Sequence, residues 1–276
     1  MRLPSRREFL KSSVRVACTA GLSGRALADS LAVNVPSETL LFPPTLSIKK
    51  GVWFEMLPAK LSIADRFKMA RDAGFEVVQA PTEPDEHKAE EIKKAAEAAN
   101  IRIDNAKVWG ADAVLLVPAV VNPQTSYRDA WTRSQKEIRT LLPLAEELKV
   151  MIAIEEVWNK FLLSPLEMAK YISEFQSPWI KAWFDVGNVL LYGYPQDWIH
   201  TLGNSIVKVH VKDFKRKEDG YAWVNLGDGD VDWAAVRQAF ADIGYSGSAI
   251  TELEGGDEAY LRDVVRRFDR FVLGRG

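Results

Sequence analysis

Cysteine occurs once in the 276 residues, as Cys18. The chain downstream of it can therefore close no internal disulfide. Histidine occurs three times, as His87, His200 and His210, so any imidazole chemistry rests on very few side chains. No run approaches the roughly 18–20 consecutive apolar residues of a membrane-spanning helix. The first strand-like run, "KKGVWFEM", leads into no glycine-rich turn, and this removes the usual signature of a dinucleotide or P-loop fold.

Positive charge is also scarce once the N-terminus is set aside. Residues 1–28 hold six basic residues against Glu8 alone, a net +5, and the whole chain is −2, so the remainder carries −7. Such an acidic remainder without a basic stripe is poorly suited to the phosphate backbone of nucleic acids. The N-terminal segment itself reads as an export signal. "SRREFLKSS" (5–13) supplies a basic region, "VRVACTAGLSG" a short apolar one, and "ALA" a small-x-small cleavage site before Asp29. Paired Arg6–Arg7 with Phe9, Leu10 and Lys11 resemble a twin-arginine signal. Arg15 stands where a lipoprotein signal would want an apolar residue, so Cys18 is read as filler. The expected organisation is a signal at 1–28, a lead-in at 29–45 and one catalytic domain at 46–274. The expected location is periplasmic or extracellular, by way of the twin-arginine machinery and without a stable membrane anchor.

Beyond the lead-in, short apolar runs alternate with helical patterns. The runs are 51–57, 75–80, 101–104, 113–118, 151–157, 181–187, 206–214 and 248–254. Helical periodicity predicts helices at 62–74, 85–99, 127–149, 164–175, 195–203, 232–243 and 258–272. Eight strands alternating with helices over this length predict a parallel (β/α)8 TIM barrel. One module is short. Only about nine residues separate "IRID" from "AVLLVP", whereas a parallel crossover normally needs a dozen or more.

The last four strands share a feature. "AIEEVWN" presents Glu155, "WFDVGN" Asp185, "VHVKDF" His210 and "ITELEGG" Glu252, spaced 30, 25 and 42 residues apart. In a β/α barrel the C-terminal strand ends build the functional face. Three carboxylates and an imidazole converging there unpaired would be costly, and a divalent cation resolves the conflict. The oxygen-rich set suits Mn²⁺ first, with Mg²⁺, Co²⁺ and Zn²⁺ as alternatives. In "VKVHVKDF" the parity of Val207, Val209 and Val211 sends these toward the helices and His210 inward. Glu156 is the alternative to Glu155 but shares the parity of the helix-facing Ile152 and Ile154.

The segments "IAIEEVWNKFLLSP", "WFDVGN", "VHVKDF", "LGDGDVDW" and "ITELEGGD" together resemble the xylose isomerase-like TIM-barrel superfamily. Within it they are closest to the sugar phosphate isomerase/epimerase branch, which includes ketose 3-epimerases. The likeness spans roughly residues 46–274, apart from the short third module. It implies a metal site on Glu155, Asp185, His210 and Glu252. It also implies acid–base catalysis by Glu155 and Glu252 from opposite faces of a sugar, through an enediolate. By position, Asn188 and Arg216 fall where that branch contacts substrate. Lys212, Glu254, Trp53 and Trp158 stand near strand ends and are further substrate-binding candidates.

The expected activity is metal-dependent isomerisation or epimerisation of a sugar or keto-sugar derivative. A lyase or dehydratase, and a non-catalytic sugar-binding barrel, are the alternatives. A relative, the metal-dependent apurinic endonuclease, needs more histidines than this chain has. A homodimer or tetramer is the expected assembly. "LGDGDVDW" and the cluster Lys212, Lys215, Arg216 and Lys217 raise phosphate binding. Asp228 and Asp230 oppose it, and Asp230 or Asp232 is expected to cap the helix at 232–243.

Overall fold

The computed structural model of the protein describes residues 45–275, apart from 82, 84 and 106–109. The predicted signal, Cys18 and nearly all of the lead-in lie outside the described residues. Among the described residues the strands are β1 (Lys49–Trp53), β2 (Val77–Gln79), β3 (Arg102–Ile103), β4 (Ala113–Leu116), β5 (Met151–Ile154), β6 (Ile180–Asp185), β7 (Ile206–Val211), β8 (Asp213–Lys217), β9 (Gly220–Val224) and β10 (Ser248–Thr251). The α-helices are α1 (Ile63–Ala73), α2 (Glu86–Ala99), α3 (Tyr127–Leu148), α4 (Pro165–Ser173), α5 (Pro195–Leu202), α6 (Trp233–Asp242) and α7 (Glu258–Arg267). These agree with the predicted helices to within a few residues, except that the last turn of the predicted 258–272 helix widens to a π-helix at Phe268–Val272.

The local reason for these boundaries is capping. Ser62, Asp85, Ser126, Ser164, Asp232 and Asp257 each accept a backbone N–H from the first turn of the helix that follows, which satisfies donors the helix itself cannot. Helix α5 begins instead with Pro195 at its first position.

Eight parallel strands form one curled sheet in the order β3-β2-β1-β10-β7-β6-β5-β4. This is TIM-barrel order with an open seam: among the described residues no ladder joins β3 to β4. Only nine residues separate β3 from β4 at this seam. A groove of about 530 Å³ runs along α2 and β3, lined by Glu76, Lys93, Glu97 and Arg102 among others.

A buried cation spans the seam. Lys208 on β7, 3% exposed, places its Nζ 2.8 Å from Asp104 Oδ1, just past β3, and 2.8 Å from Asp112 Oδ1, just before β4. Asp104 also accepts from Arg102 and from the Ser248 hydroxyl.

Two layers of apolar packing follow from strand parity. Ile152, Ile154, Phe184, Val209 and Val211 join the outer core against the helices. Val77, Ala113, Ala153, Trp183 and Ile250 fill the interior, a large indole set among small residues. Val207 departs from its predicted orientation. The β6–β7 register shifts between Ala182 and Trp183, pairing Ile206 with Ala182 and Lys208 with Trp183. This bulge puts Ile206 in the outer core and packs Val207 against the interior cluster.

The hairpin β8–β9 was not predicted. Its strands pair antiparallel from Asp213↔Val224 to Lys217↔Gly220. Fully buried Asp213 anchors the chain beyond it, accepting from the N–H groups of Gly227 and Val231 and from Trp233 Nε1. The "LGDGDVDW" segment is thus organised around a carboxylate, and Asp232 is the helix cap.

Candidate metal centre and substrate cleft

Each of the four predicted ligands stands at the C-terminal end of its strand. Glu155 follows β5, its N–H bonded to the Leu116 carbonyl, and Glu252 follows β10, its N–H bonded to the Val211 carbonyl. Asp185 closes β6 and pairs in register with His210, which also stands opposite Ile250 of β10. Parallel pairing therefore brings side chains up to 97 residues apart in sequence to one level of the barrel. One ligand atom from each of Glu155, Asp185, His210 and Glu252 lies within 4.8 Å of all the others.

His210 Nδ1 is the hub. It lies 2.8 Å from Glu155 Oε1, 3.6 Å from Glu252 Oε2 and 3.8 Å from Asp185 Oδ2. The other ring nitrogen, Nε2, is 2.6 Å from Gln79 Oε1. That amide oxygen can only accept, so Nε2 carries a hydrogen and Nδ1 is the nitrogen available to a cation. Without a cation, burial would lower the His210 pKa, but Glu155, Glu252 and Asp185 together raise it. Burial, with the neighbouring Asp185 and Glu252 charges, also raises the Glu155 carboxyl, against the opposing pull of His210.

The donor set fits a divalent cation. Asp185 Oδ1 is held by the N–H groups of Gly187 and Asn188 at 2.8 and 2.9 Å. Its Oδ2 is completely buried and faces the Lys212 ammonium at 2.9 Å and His210 Nδ1 at 3.8 Å. Lys212 alone cannot offset three clustered carboxylates, and a divalent cation would supply the remaining positive charge. Three carboxylates and an imidazole form the mixed oxygen–nitrogen set that Mn²⁺, Mg²⁺, Co²⁺ or Zn²⁺ accepts. Of the adjacent pair, Glu155 enters this cluster. Glu156 is buried with neither oxygen hydrogen-bonded, and burial, Asp185 and Glu155 hold its pKa well above the usual carboxylate range.

The remaining predicted residues separate into two groups. Lys212 joins the cluster, its Nζ 2.6 Å from Glu252 Oε2 and 4.8 Å from the centre of the Trp223 ring. Burial opposes its charge, but Asp185 and Glu252 keep its pKa above the ordinary lysine value. Trp53 and Glu254 line a cleft of about 410 Å³ together with Glu55, Lys212, Trp223 and Glu252. Asn188, Trp158 and Arg216 make contacts of another kind. The Asn188 amide donates to the Glu156 carbonyl, Trp158 Nε1 donates to the Asn188 carbonyl, and Arg216 donates to the Leu190 carbonyl.

Sequence reading missed Gln79, Glu55 and Trp223. Gln79 shares the parity of inward-facing Val77 at the end of β2, which is a usable signal. The hairpin bearing Trp223 was marked by Asp219-Gly220 between two strand-like runs. Gly187 lets that hairpin close onto β6. A Cβ there would stand 2.5 Å from Lys212 Cγ and 3.1 Å from the Trp223 ring.

Comparison with solved structures gives the same architecture at low sequence identity. An L-ribulose 3-epimerase is 16% identical with a TM-score of 0.68, over 82% of this chain and 95% of that one. A 3-keto-D-glucoside 4-epimerase from E. coli is 14% identical with a TM-score of 0.66, over 79% and 98%. A D-psicose 3-epimerase from Clostridium cellulolyticum, solved with D-tagatose, is 16% identical with a TM-score of 0.62, over 82% and 96%. No curated protein sequence matches. The family model described as "Xylose isomerase-like TIM barrel" matches residues 102–271, and the chain belongs to that family.

Proposed function

We propose that the protein is a divalent-metal-dependent isomerase or epimerase of a sugar or keto-sugar derivative. The observation that carries this reading is the convergence of Glu155, Asp185, His210 and Glu252 within 4.8 Å, three carboxylates with one lysine ammonium beside them. Those four residues would hold the cation, Mn²⁺ being the preferred ion. When bound, it supplies electrophilic stabilisation of the negative charge that develops on the sugar oxygens.

The chain's own residues do the rest. Glu155 and Glu252, on strands on either side of the β6–β7 pair, remove and return a proton at the carbon beside the carbonyl. Gln79 fixes the His210 ring, and Lys212 is within reach of a substrate oxygen as a hydrogen-bond donor. Using both faces of the carbon gives epimerisation; passing the proton to the neighbouring carbon gives isomerisation.

The test is hydrogen exchange between sugar and solvent. With Mn²⁺ present, D-fructose, D-tagatose or L-ribulose incubated in deuterated water should gain deuterium beside the carbonyl. Glu155→Gln and Glu252→Gln should each abolish this. Absence of exchange with these and related ketoses, in protein that binds the metal, would leave the sugar-binding reading in its place. Residues 1–28 are proposed to direct export by the twin-arginine route, and substitution of Arg6 and Arg7 by lysine should retain the protein in the cytoplasm.

A further inference from the structure

The cleft contains one basic side chain, and that one is already committed. Of the four basic residues that raised phosphate binding, Lys215 donates to the Asp228 carbonyl and Arg216 to the Leu190 carbonyl, with Asp230 beside it. Neither lines the cleft, nor does Lys217; Lys212 alone does. Its ammonium is held between Asp185 and Glu252. The cleft wall adds two more carboxylates, Glu55 and Glu254. Glu55 has Arg66 at 3.7 Å, and that guanidinium lies over the Phe54 ring and donates to its carbonyl. Glu254 has no ion pair among the described residues.

Charge counting around a loaded centre then favours one class of ligand. A divalent cation and Lys212 together offset Glu155, Asp185 and Glu252, Arg66 pairs with Glu55, and the Glu254 carboxylate remains. A phosphate or carboxylate in this space would meet like charge with no free basic partner. A neutral sugar would meet acceptors for its hydroxyls and aromatic faces for its C–H surfaces. Trp53 and Trp223 line the same cleft. Trp223 is held in place by stacking on Trp158 at 5.0 Å, and Trp158 in turn takes the edge of Tyr221 at 4.6 Å.

We propose that the part of the cleft lined by Trp53, Glu55, Trp223 and Glu254 is a subsite for the non-reacting end of an uncharged substrate, one that accepts a second sugar ring and rejects a phosphate ester. This rests on the proposed sugar-isomerase reading of the adjoining metal centre. Trp223 and Glu55 are its specificity-determining residues, Trp223 by stacking and Glu55 by accepting from sugar hydroxyls.

The experiment uses three ketoses that differ only at O6: D-fructose, D-fructose 6-phosphate and 6-O-α-D-glucopyranosyl-D-fructose. Each is titrated into the manganese-loaded protein, followed by calorimetry and tryptophan fluorescence. The expected order of affinity is the glucosyl ketose first, fructose second and the phosphate ester last. Trp223→Ala should weaken the glucosyl ketose by roughly threefold to tenfold and leave fructose nearly unchanged, while Trp223→Phe restores most of the loss. Glu55→Gln combined with Glu254→Lys should narrow the gap between fructose and its phosphate. Tighter binding of the phosphate ester than of fructose, no gain from the glucosyl group, or no binding of either neutral ketose would overturn the subsite. Deuterium exchange into fructose is read in parallel. If exchange persists while the affinity order is reversed, the subsite fails and the isomerase reading stands. If the order holds without exchange, the isomerase reading is the one that fails.

Discussion

His210 and Gln79, 131 residues apart in sequence, meet in the barrel interior with His210 Nε2 2.6 Å from Gln79 Oε1. This contact fixes which ring nitrogen faces the acids, and so it decides whether the imidazole can serve a cation at all. Outer hydrogen-bond partners of this kind typically govern affinity by one to two orders of magnitude. Gln79→Ala should therefore weaken Mn²⁺ binding about 10- to 100-fold, while Gln79→Glu, which keeps an acceptor, should retain much of it. Calorimetric metal titration checks both, and an unchanged affinity in the alanine variant would remove Gln79 from the site.

Metal and protons should compete for the same four side chains. The His210 and Glu155 pKa values are both raised in the metal-free protein, so proton binding at either group competes with a cation. The sign follows for stability. A raised folded-state pKa gives stabilisation that is complete below the unfolded value and is lost as pH rises through the folded one. For His210 that loss begins above about pH 6.5, so chelator-treated protein should melt at a lower temperature at pH 8 than at pH 6. Adding Mn²⁺ should reverse the trend, and the gain in melting temperature should be larger at pH 8. His210→Ala and Glu252→Ala should erase the metal-induced gain.

Lys208 should be worth more to this barrel than an ordinary interior lysine. Its ammonium contacts both Asp104 and Asp112, 2.8 Å from each, at the seam that no backbone ladder closes. Removing one partner of a buried ion pair typically costs about 3–5 kcal/mol. Lys208→Met should approach that loss in denaturant melts, because two aspartates are left facing each other. Asp112→Asn should cost less, since the Asp112 side chain is 62% exposed. Equal and small effects in both variants would show that the seam holds without the bridge.

Alkaline instability should trace in part to Tyr171. Burial, against a hydrogen bond with Ser134, pushes its phenol up to about 12. By the same sign rule the folded protein should lose stability between about pH 10 and pH 12. Tyr171→Phe should be less stable at pH 8, through loss of the 2.7 Å contact with the Ser134 hydroxyl. It should also show a shallower fall in melting temperature across the alkaline range.

Much of this protein was legible in its sequence. Helix starts at Ser62, Ser126 and Ser164 depend on a side chain bonding to a backbone only three residues away, and such local chemistry survives in a linear reading. The four strand-end ligands were legible for a related reason. Period-two parity states which side chains face the interior, and parallel topology puts equivalent positions at one height. The open seam, the Lys208 bridge, the Gln79 contact and the placement of Trp223 over the cleft were decided by tertiary structure. Lys208 meets Asp104 across 104 residues and His210 meets Gln79 across 131. At those separations neither spacing nor parity specifies the partner, because the contact exists only once the sheet has curled. Even Val207 shows the limit, since a one-residue register shift between β6 and β7 overrode its alternation. Alternation in the sequence assigned most inward-facing residues, because strand parity is local; curvature and register, which are not, decided which of them touch and turned Val207.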